Sequence, residues 1–200
     1  MNTLFPVFLK LEELNTLIVG GGYVGLEKLT AVLSNAPNSN VTVVAPEIQL
    51  AIRELAGSHP NVILCEKRFE EGDLEGKDIV IAGTNIKEVN AAVKEAAKRM
   101  RVLANIADTP ELCDFYLGSI VQKGDLKIAI STNGKSPTLA KRLREMLTEI
   151  IPEGMQTLLD NLKVVRDNLK GDFEYKVNKL NEITTLIKQV DSATDNKKKS

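Results

Sequence analysis

Three short stretches of this 200-residue chain carry residues whose types and spacing could do chemistry. The first is Gly20-x-Gly22-x-x-Gly25, which follows the β-rich run Asn15 to Val19 and opens a segment where Val24, Leu26, Leu29, Val32 and Leu33 recur at helical spacing. In that setting the first glycine permits a tight turn and the second lets the backbone approach a pyrophosphate. The third lets helix and strand pack closely. Backbone N–H groups at the helix start then face the phosphates. Alone, a glycine triplet need be no more than a turn; the strand before it and the helix after it make it a dinucleotide signal. The acidic residue that commonly ends the second strand and binds a ribose hydroxyl is replaced by Ala45-Pro46, with Glu47 next in line. No arginine stands there to meet a 2′-phosphate, so NAD is favoured over NADP.

The second stretch is Asn105-Ile106-Ala107-Asp108, the end of an apolar run that starts at Arg101. Open parallel sheets hold their ligands outside the carboxyl ends of their strands, so Asp108 stands where a carboxylate could take a proton during a hydride transfer. The alternative is that Asp108 merely shapes the turn before Thr109-Pro110. The third stretch is Ser131 to Pro137 (STNGKSP), a glycine turn feeding a helix with Ser136 as N-cap and Pro137 in its first position. Free backbone donors there, with Lys135, Lys141, Arg142 and Arg144 on and beyond the turn, suit an anion. An ordinary solvated basic helix face is the competing reading.

These stretches need a scaffold, and the pattern supplies one. Val41 to Ala45, Val62 to Cys65, Asp78 to Ala82 and Arg101 to Ile106 read as short strands, the first and third almost wholly apolar. Helical segments at Glu47 to Gly57 and Ile86 to Met100 alternate with them, the latter placing Val89, Val93, Ala96, Ala97 and Met100 on one face. The fold class is therefore α/β, a Rossmann-like doubly wound parallel sheet. After Ala107 the pattern changes. Ile120-Val121 and Leu126 to Ser131 flank a turn at Lys123-Gly124-Asp125 as a hairpin, Ser136 to Glu149 is a helix, and apolar stripes to Leu169 and from Phe173 to Ile187 give two more. Asp191 to Ser200 is a polar, lysine-ended tail expected to be disordered.

Composition narrows the function classes. Twenty-six basic residues against 27 acidic give a formal net charge of -1, which sets up no global field for nucleic acid or an anionic membrane. Tryptophan is absent and aromatics are 4%, so no basic stripe carries stacking side chains. No leader and no spanning apolar run are visible, and the expected location is the cytoplasm. Cys65 and Cys113 match no metal-ligand spacing and are expected as packed, reduced thiols; no metal site is assigned. The sole histidine, His59, sits in a turn before Pro60, which leaves carboxylates, lysines, tyrosines or water for proton transfer.

Taken with their order and spacing, the segments Leu4 to Leu9, Leu17 to Gly25, Val41 to Pro46, Arg68-Phe69, Asp73-Leu74, Ile81 to Asn90, Asn105 to Phe115 and Leu126 to Arg144 resemble the precorrin-2 dehydrogenase family, some of whose members are also sirohydrochlorin ferrochelatases. The resemblance implies an NAD-binding Rossmann domain over 1–112, a small dimerisation and substrate segment over 113–150 and a helical domain over 151–190, in an intertwined homodimer. It implies oxidation of the tetrapyrrole precorrin-2 to sirohydrochlorin on the route to sirohaem, with Asp108 as general base. Cofactor contacts are expected at Gly20, Gly22, Tyr23, Val24, Gly25, Ala45, Pro46, Glu47, Gly83, Thr84 and Asn85. Substrate carboxylates are expected at Asn105, Thr132, Gly134, Lys135 and Ser136. The sequence departs from the family at Gly25, where alanine is common, and at Asn85-Ile86, where the family is acidic. Two other readings compete: a bifunctional enzyme that also inserts iron, and a non-catalytic module binding NAD or a tetrapyrrole, against which the joint presence of Asp108 and the basic turn argues.

Overall fold

The computed structural model describes residues 3–171 and 173–184. The tail from Asp191 and the end of the last stripe at Ile187 lie outside the described residues. The chain divides into two compact units, one running to Leu117 and including Asn133–Lys135, the other formed by Gly118–Thr132 and Ser136 onward.

In the first unit five strands form one parallel sheet: β1 (Asn15–Val19), β2 (Asn40–Ala45), β3 (Val62–Glu66), β4 (Ile79–Ala82) and β5 (Leu103–Ile106), in the order β3-β2-β1-β4-β5. The period-two alternation of a strand sends its side chains to opposite faces. Leu17 and Val19 therefore join Val44, Val80 and Ala104 under α3 (Lys87–Met100), whose Val93, Ala96 and Ala97 are buried against them. Ile18 points the other way, with Val41, Val43, Ile79 and Ile81, under Leu29, Val32 and Leu33 of α1 (Tyr23–Asn35) and Ile52 of α2 (Leu50–Gly57). Helices on both faces leave the central strands β1, β2 and β4 almost no contact with water, which is why they read as apolar runs, while Ile63 on the edge strand β3 stays exposed.

Two boundaries differ from the sequence reading for local reasons. The helix expected from Glu47 starts only at Leu50, because Ala45–Gln49 is occupied in crossing over the glycine loop. The strand expected from Arg101 starts at Leu103, because Arg101 takes a left-handed conformation (φ 58°) that ends α3 while its N–H and that of Val102 return to Ala97 and Lys98 carbonyls. Asp78 stands just outside β4 and its carboxylate accepts the Asn15 N–H at 2.8 Å, tying the starts of β1 and β4 together.

The second unit is a hairpin, β6 (Ser119–Lys123) and β7 (Leu126–Ile130), with helices α4 (Pro137–Ile150), α5 (Met155–Asn168) and α6 (Phe173–Thr184). Gly124 makes the hairpin turn at φ 60°. The Gln156 side chain on α5 accepts the Asp125 N–H at 2.8 Å and donates to the Asp125 carboxylate at 3.1 Å, and Lys123 pairs with Glu153. Among the described residues of this unit only Val121 and Ala140 are buried. Leu139, Met146 and Ile150 on α4 lie largely open.

Candidate functional site

The sheet order reverses direction between β1 and β4, and such a switch point opens a crevice beyond the carboxyl ends of the strands. The glycine motif lies at that edge, and its four glycines have four different reasons to be glycine. Gly20 has φ +135°, and a β-carbon on it would stand 2.6 Å from the Gly83 carbonyl oxygen. Gly21 is closed off by the Glu47 carbonyl and by the Ala45 β-carbon, which would lie at 2.9 Å. Gly25, on the first turn of α1, would drive a β-carbon into the carbonyl oxygen of Gly20. Gly22 faces open space, with nothing within 4 Å of where a side chain would begin. The cradle is thus packed on three glycines and vacant over the fourth. No side chain caps α1, and among the described residues no protein acceptor meets the N–H groups of Gly22, Tyr23 or Val24. That arrangement fits a pyrophosphate, and hence NAD(P), which these residues would hold by backbone donors and the positive end of the helix dipole.

The neighbouring strand ends complete the rim. Ala45 is buried, while Pro46 and Glu47 are exposed, so the carboxylate of Glu47 leaves from the loop and not from the strand. After β4, Gly83 packs beneath Val24, whose Cγ1 would be 3.0 Å from an added β-carbon. Thr84 is pinned: its hydroxyl donates to Asn90 Oδ1 at 2.7 Å and accepts the Ile86 N–H at 3.2 Å, while Asn90 Nδ2 donates to the Thr84 carbonyl at 3.0 Å. Asn85 remains exposed.

Asp108 follows β5 and is exposed, with φ +57°, a left-handed conformation that aspartate tolerates better than most residues. The turn is held from behind. Ala107 N–H bonds the Ala82 carbonyl at 2.8 Å and Thr109 N–H the Ile106 carbonyl at 3.3 Å. The outer edge of β5 is covered by side chains from the segment that follows it: Cys113 Sγ accepts the Ile106 N–H at 3.2 Å, and the Asp114 carboxylate accepts the Ala104 N–H at 2.9 Å and binds Lys94 at 2.6 Å. Burial pushes the Cys113 thiol above its ordinary range, against the Ile106 N–H and Lys94. Burial also raises the Asp114 carboxyl, but the Lys94 ammonium and the Ala104 N–H outweigh it and hold the group below its usual value.

Asn105, expected at the substrate, is buried, and its amide nitrogen donates to the Phe115 carbonyl at 2.8 Å. Gly134 and Lys135 fold with the first unit, where an added β-carbon on Gly134 would lie 4.0 Å from Pro110, two residues beyond Asp108. Thr132 and Ser136 belong to the second unit and build the start of α4: Ser136 Oγ accepts the Leu139 N–H and Thr132 Oγ1 the Ser136 N–H, both at 3.2 Å. Lys135 is exposed, and Lys141 lies 3.9 Å from Glu145.

Several supporting residues escaped the sequence reading. Asn90 carried a readable signal, since a polar residue three before Val93 and seven before Ala97 falls on the buried face of α3. Lys94 and Asp114 are 20 residues apart, and Gln49 reaches back 27 residues to Gly22, pairings that no local spacing announces.

Residues 7–119 match the family model described as "Putative NAD(P)-binding", and residues 123–150 that described as "Sirohaem biosynthesis protein central". A siroheme synthase of Methylococcus capsulatus is 42% identical over 153 residues, 76% of this chain and 32% of the relative. A second, from Psychrobacter, is 37% identical over 171 residues, 86% of this chain and 34% of the relative. The chain thus spans about a third of the length of the curated relatives it matches. Among solved structures it is similar to "SirC, precorrin-2 dehydrogenase", with TM-score 0.73 and 28% identity over 90% of this chain and 89% of that one. The match over residues 7–119 covers more than half of the sequence, and the chain belongs to this NAD(P)-binding family.

Proposed function

We propose that the protein catalyses the NAD-dependent oxidation of precorrin-2 to sirohydrochlorin, with Asp108 as the general base. The observation that carries the reading is Asp108 itself: an exposed carboxylate held at φ +57° at the end of β5, on the same sheet edge as the open cradle over Gly22. Left-handed backbone at a residue with a side chain is retained where the surroundings enforce it, and it clusters at functional sites. When bound, NAD supplies the hydride acceptor. Gly20, Gly21 and Gly25 hold the loop so that the N–H groups around Gly22 orient the pyrophosphate. Asp108 takes the proton released as the substrate loses a hydride from the adjacent carbon, and passes it to solvent. Gly134 and Lys135, beside Pro110, meet the acetate and propionate carboxylates of the macrocycle, and Asn105 acts by fixing the strand end. The likeness to siroheme synthases and to SirC supports the substrate. No observation favours iron insertion over oxidation.

Anaerobic incubation with enzymatically made precorrin-2 and NAD tests this. NADH appearing together with sirohydrochlorin, and lost in Asp108→Ala, is the expected result. NAD binding without NADH formation would leave only a binding module.

The second unit supports a homodimer. A hairpin and three helices with two buried residues among those described cannot stand on so small a core, and the open Leu139, Met146 and Ile150 of α4 offer a face to a second copy. Sedimentation of the wild type as a dimer, and of Met146→Glu with Ile150→Glu as a monomer, is the outcome expected. The same reading puts the enzyme in the cytoplasm; among the described residues no helix is long and apolar enough to cross a membrane.

A further inference from the structure

Gln49 makes two hydrogen bonds to the glycine loop. Its N–H donates to the Gly21 carbonyl at 3.0 Å, and its side-chain Nε2 donates to the Gly22 carbonyl at 3.0 Å. Two adjacent peptide planes, Gly21–Gly22 and Gly22–Tyr23, are therefore held by one residue on another element. A trans peptide points its N–H opposite to its carbonyl. With both carbonyls turned to Gln49, the N–H groups of Gly22 and Tyr23 are turned away from it, and these are two of the donors without a protein acceptor among the described residues.

The clamp is specific to this loop. Glycines rotate their peptide planes freely unless something stops them. The Gly22 carbonyl also accepts the Leu26 N–H of α1 at 3.0 Å, so Gln49 adds a second restraint, from another element, to a peptide that the first turn of the helix already engages. The Glu47 carbonyl packs on Gly21 and keeps Ala45–Gln49 close, but packing does not orient the Gly22–Tyr23 plane. Gln49 as a whole is half-buried, and its amide meets the Gly22 carbonyl at the surface of the loop.

We propose that Gln49 is a positioning residue for the dinucleotide: its side-chain amide fixes the Gly22–Tyr23 peptide so that its N–H is aimed at the pyrophosphate before the cofactor arrives. The proposal rests on the NAD-binding reading of the cradle. A preorganised donor strengthens binding of the phosphates, because the cost of ordering the loop has already been met. It does nothing for a ligand without phosphates.

The test is the affinity of wild type, Gln49→Ala and Gln49→Glu for NAD, ADP and adenosine, by calorimetry for the first two and saturation-transfer NMR for adenosine. Gln49→Ala is expected to weaken NAD and ADP by roughly tenfold while leaving adenosine unchanged. Gln49→Glu keeps the length of the side chain but cannot donate, and weakens both at least as much. Unchanged NAD affinity in Gln49→Ala overturns the proposal, as does an equal loss for all three ligands, which would mark a general disturbance of the loop. A wild type that binds neither NAD nor ADP would overturn the cradle reading itself, and is told apart from the other failures by needing no variant.

Discussion

A β-carbon on Gly25 would collide with the carbonyl oxygen of Gly20, although the two residues belong to the same short motif as Gly22, where a β-carbon would meet nothing. The motif therefore contains glycines of two kinds, those closed in by the fold and one left open.

Alanine substitutions separate them. Gly25→Ala must push α1 off β1 and is expected to cost about 1–3 kcal/mol by overpacking, visible as a lower midpoint in urea. Gly22→Ala, whose φ of -93° suits any residue, leaves the midpoint in place but fills the cradle with a methyl group. Its NAD affinity is expected to fall by tenfold or more, in rough terms, through displaced phosphate contacts. A stable Gly22→Ala that binds NAD normally would show that the pyrophosphate lies elsewhere.

Asp114 gives the structure a dependence on acid. Its carboxyl is held below the ordinary value near 3.8, so the folded state binds its proton less readily than the unfolded chain. The contribution is fully present above that ordinary value and is lost as pH falls through the lower, folded one. Asp114→Asn removes the charge beside Lys94 and weakens the cap on the Ala104 N–H. Wild type should exceed this variant in thermal midpoint by a constant margin above about pH 5, and the margin should shrink below about pH 4. A margin that persists unchanged in acid would mean the carboxylate contributes by shape alone.

The sheet was legible because its central strands are buried on both faces, and runs such as Val41 to Ala45 admit few other readings. The glycine loop was legible because its constraint is local: a strand, a turn and a helix within a dozen residues. What sequence did not disclose were the polar groups that hold the rim from a distance. Gln49 looks like an ordinary loop residue because only the crossover through α1 brings it to Gly22, while Cys113 and Asp114 reach the edge of β5 by a fold-back of irregular chain that carries no periodic signal. Asn105, which the family resemblance puts at the substrate, is buried, and its amide nitrogen donates to the Phe115 carbonyl, a pairing across ten residues that the sequence does not announce.

Asn90 is the buried polar residue whose loss the rim should feel most directly. Asn90→Leu keeps the volume on the α3 face but removes the donor to the Thr84 carbonyl and one of the partners of the Thr84 hydroxyl, which keeps its bonds with Ile86. Leaving the Thr84 carbonyl without that donor is expected to cost about 1–3 kcal/mol. Hydrogen exchange at Asn85 and Ile86 should quicken more than exchange in β4, because the loop loosens before the strand does. Uniformly faster exchange across α3 would instead indicate that Asn90 serves the helix and not the loop.

The left-handed turn at Asp108 allows chemistry and stability to be read apart. Four variants at this one position make the comparison. Asn keeps a side chain that tolerates φ near +57°, and Gly accepts it without strain, so both are expected to fold with midpoints at or near that of wild type. Val, branched at its β-carbon, is the poorest fit and should lose about 1–3 kcal/mol. Ala should fall between. If Asp108 is the base, all four lose oxidation of precorrin-2 by roughly 10²-fold or more, whatever their stability, while NAD affinity stays as in wild type. Activity that tracks the midpoints, with Asn and Gly nearly as fast as Asp, would assign Asp108 to the turn and leave proton removal to another group.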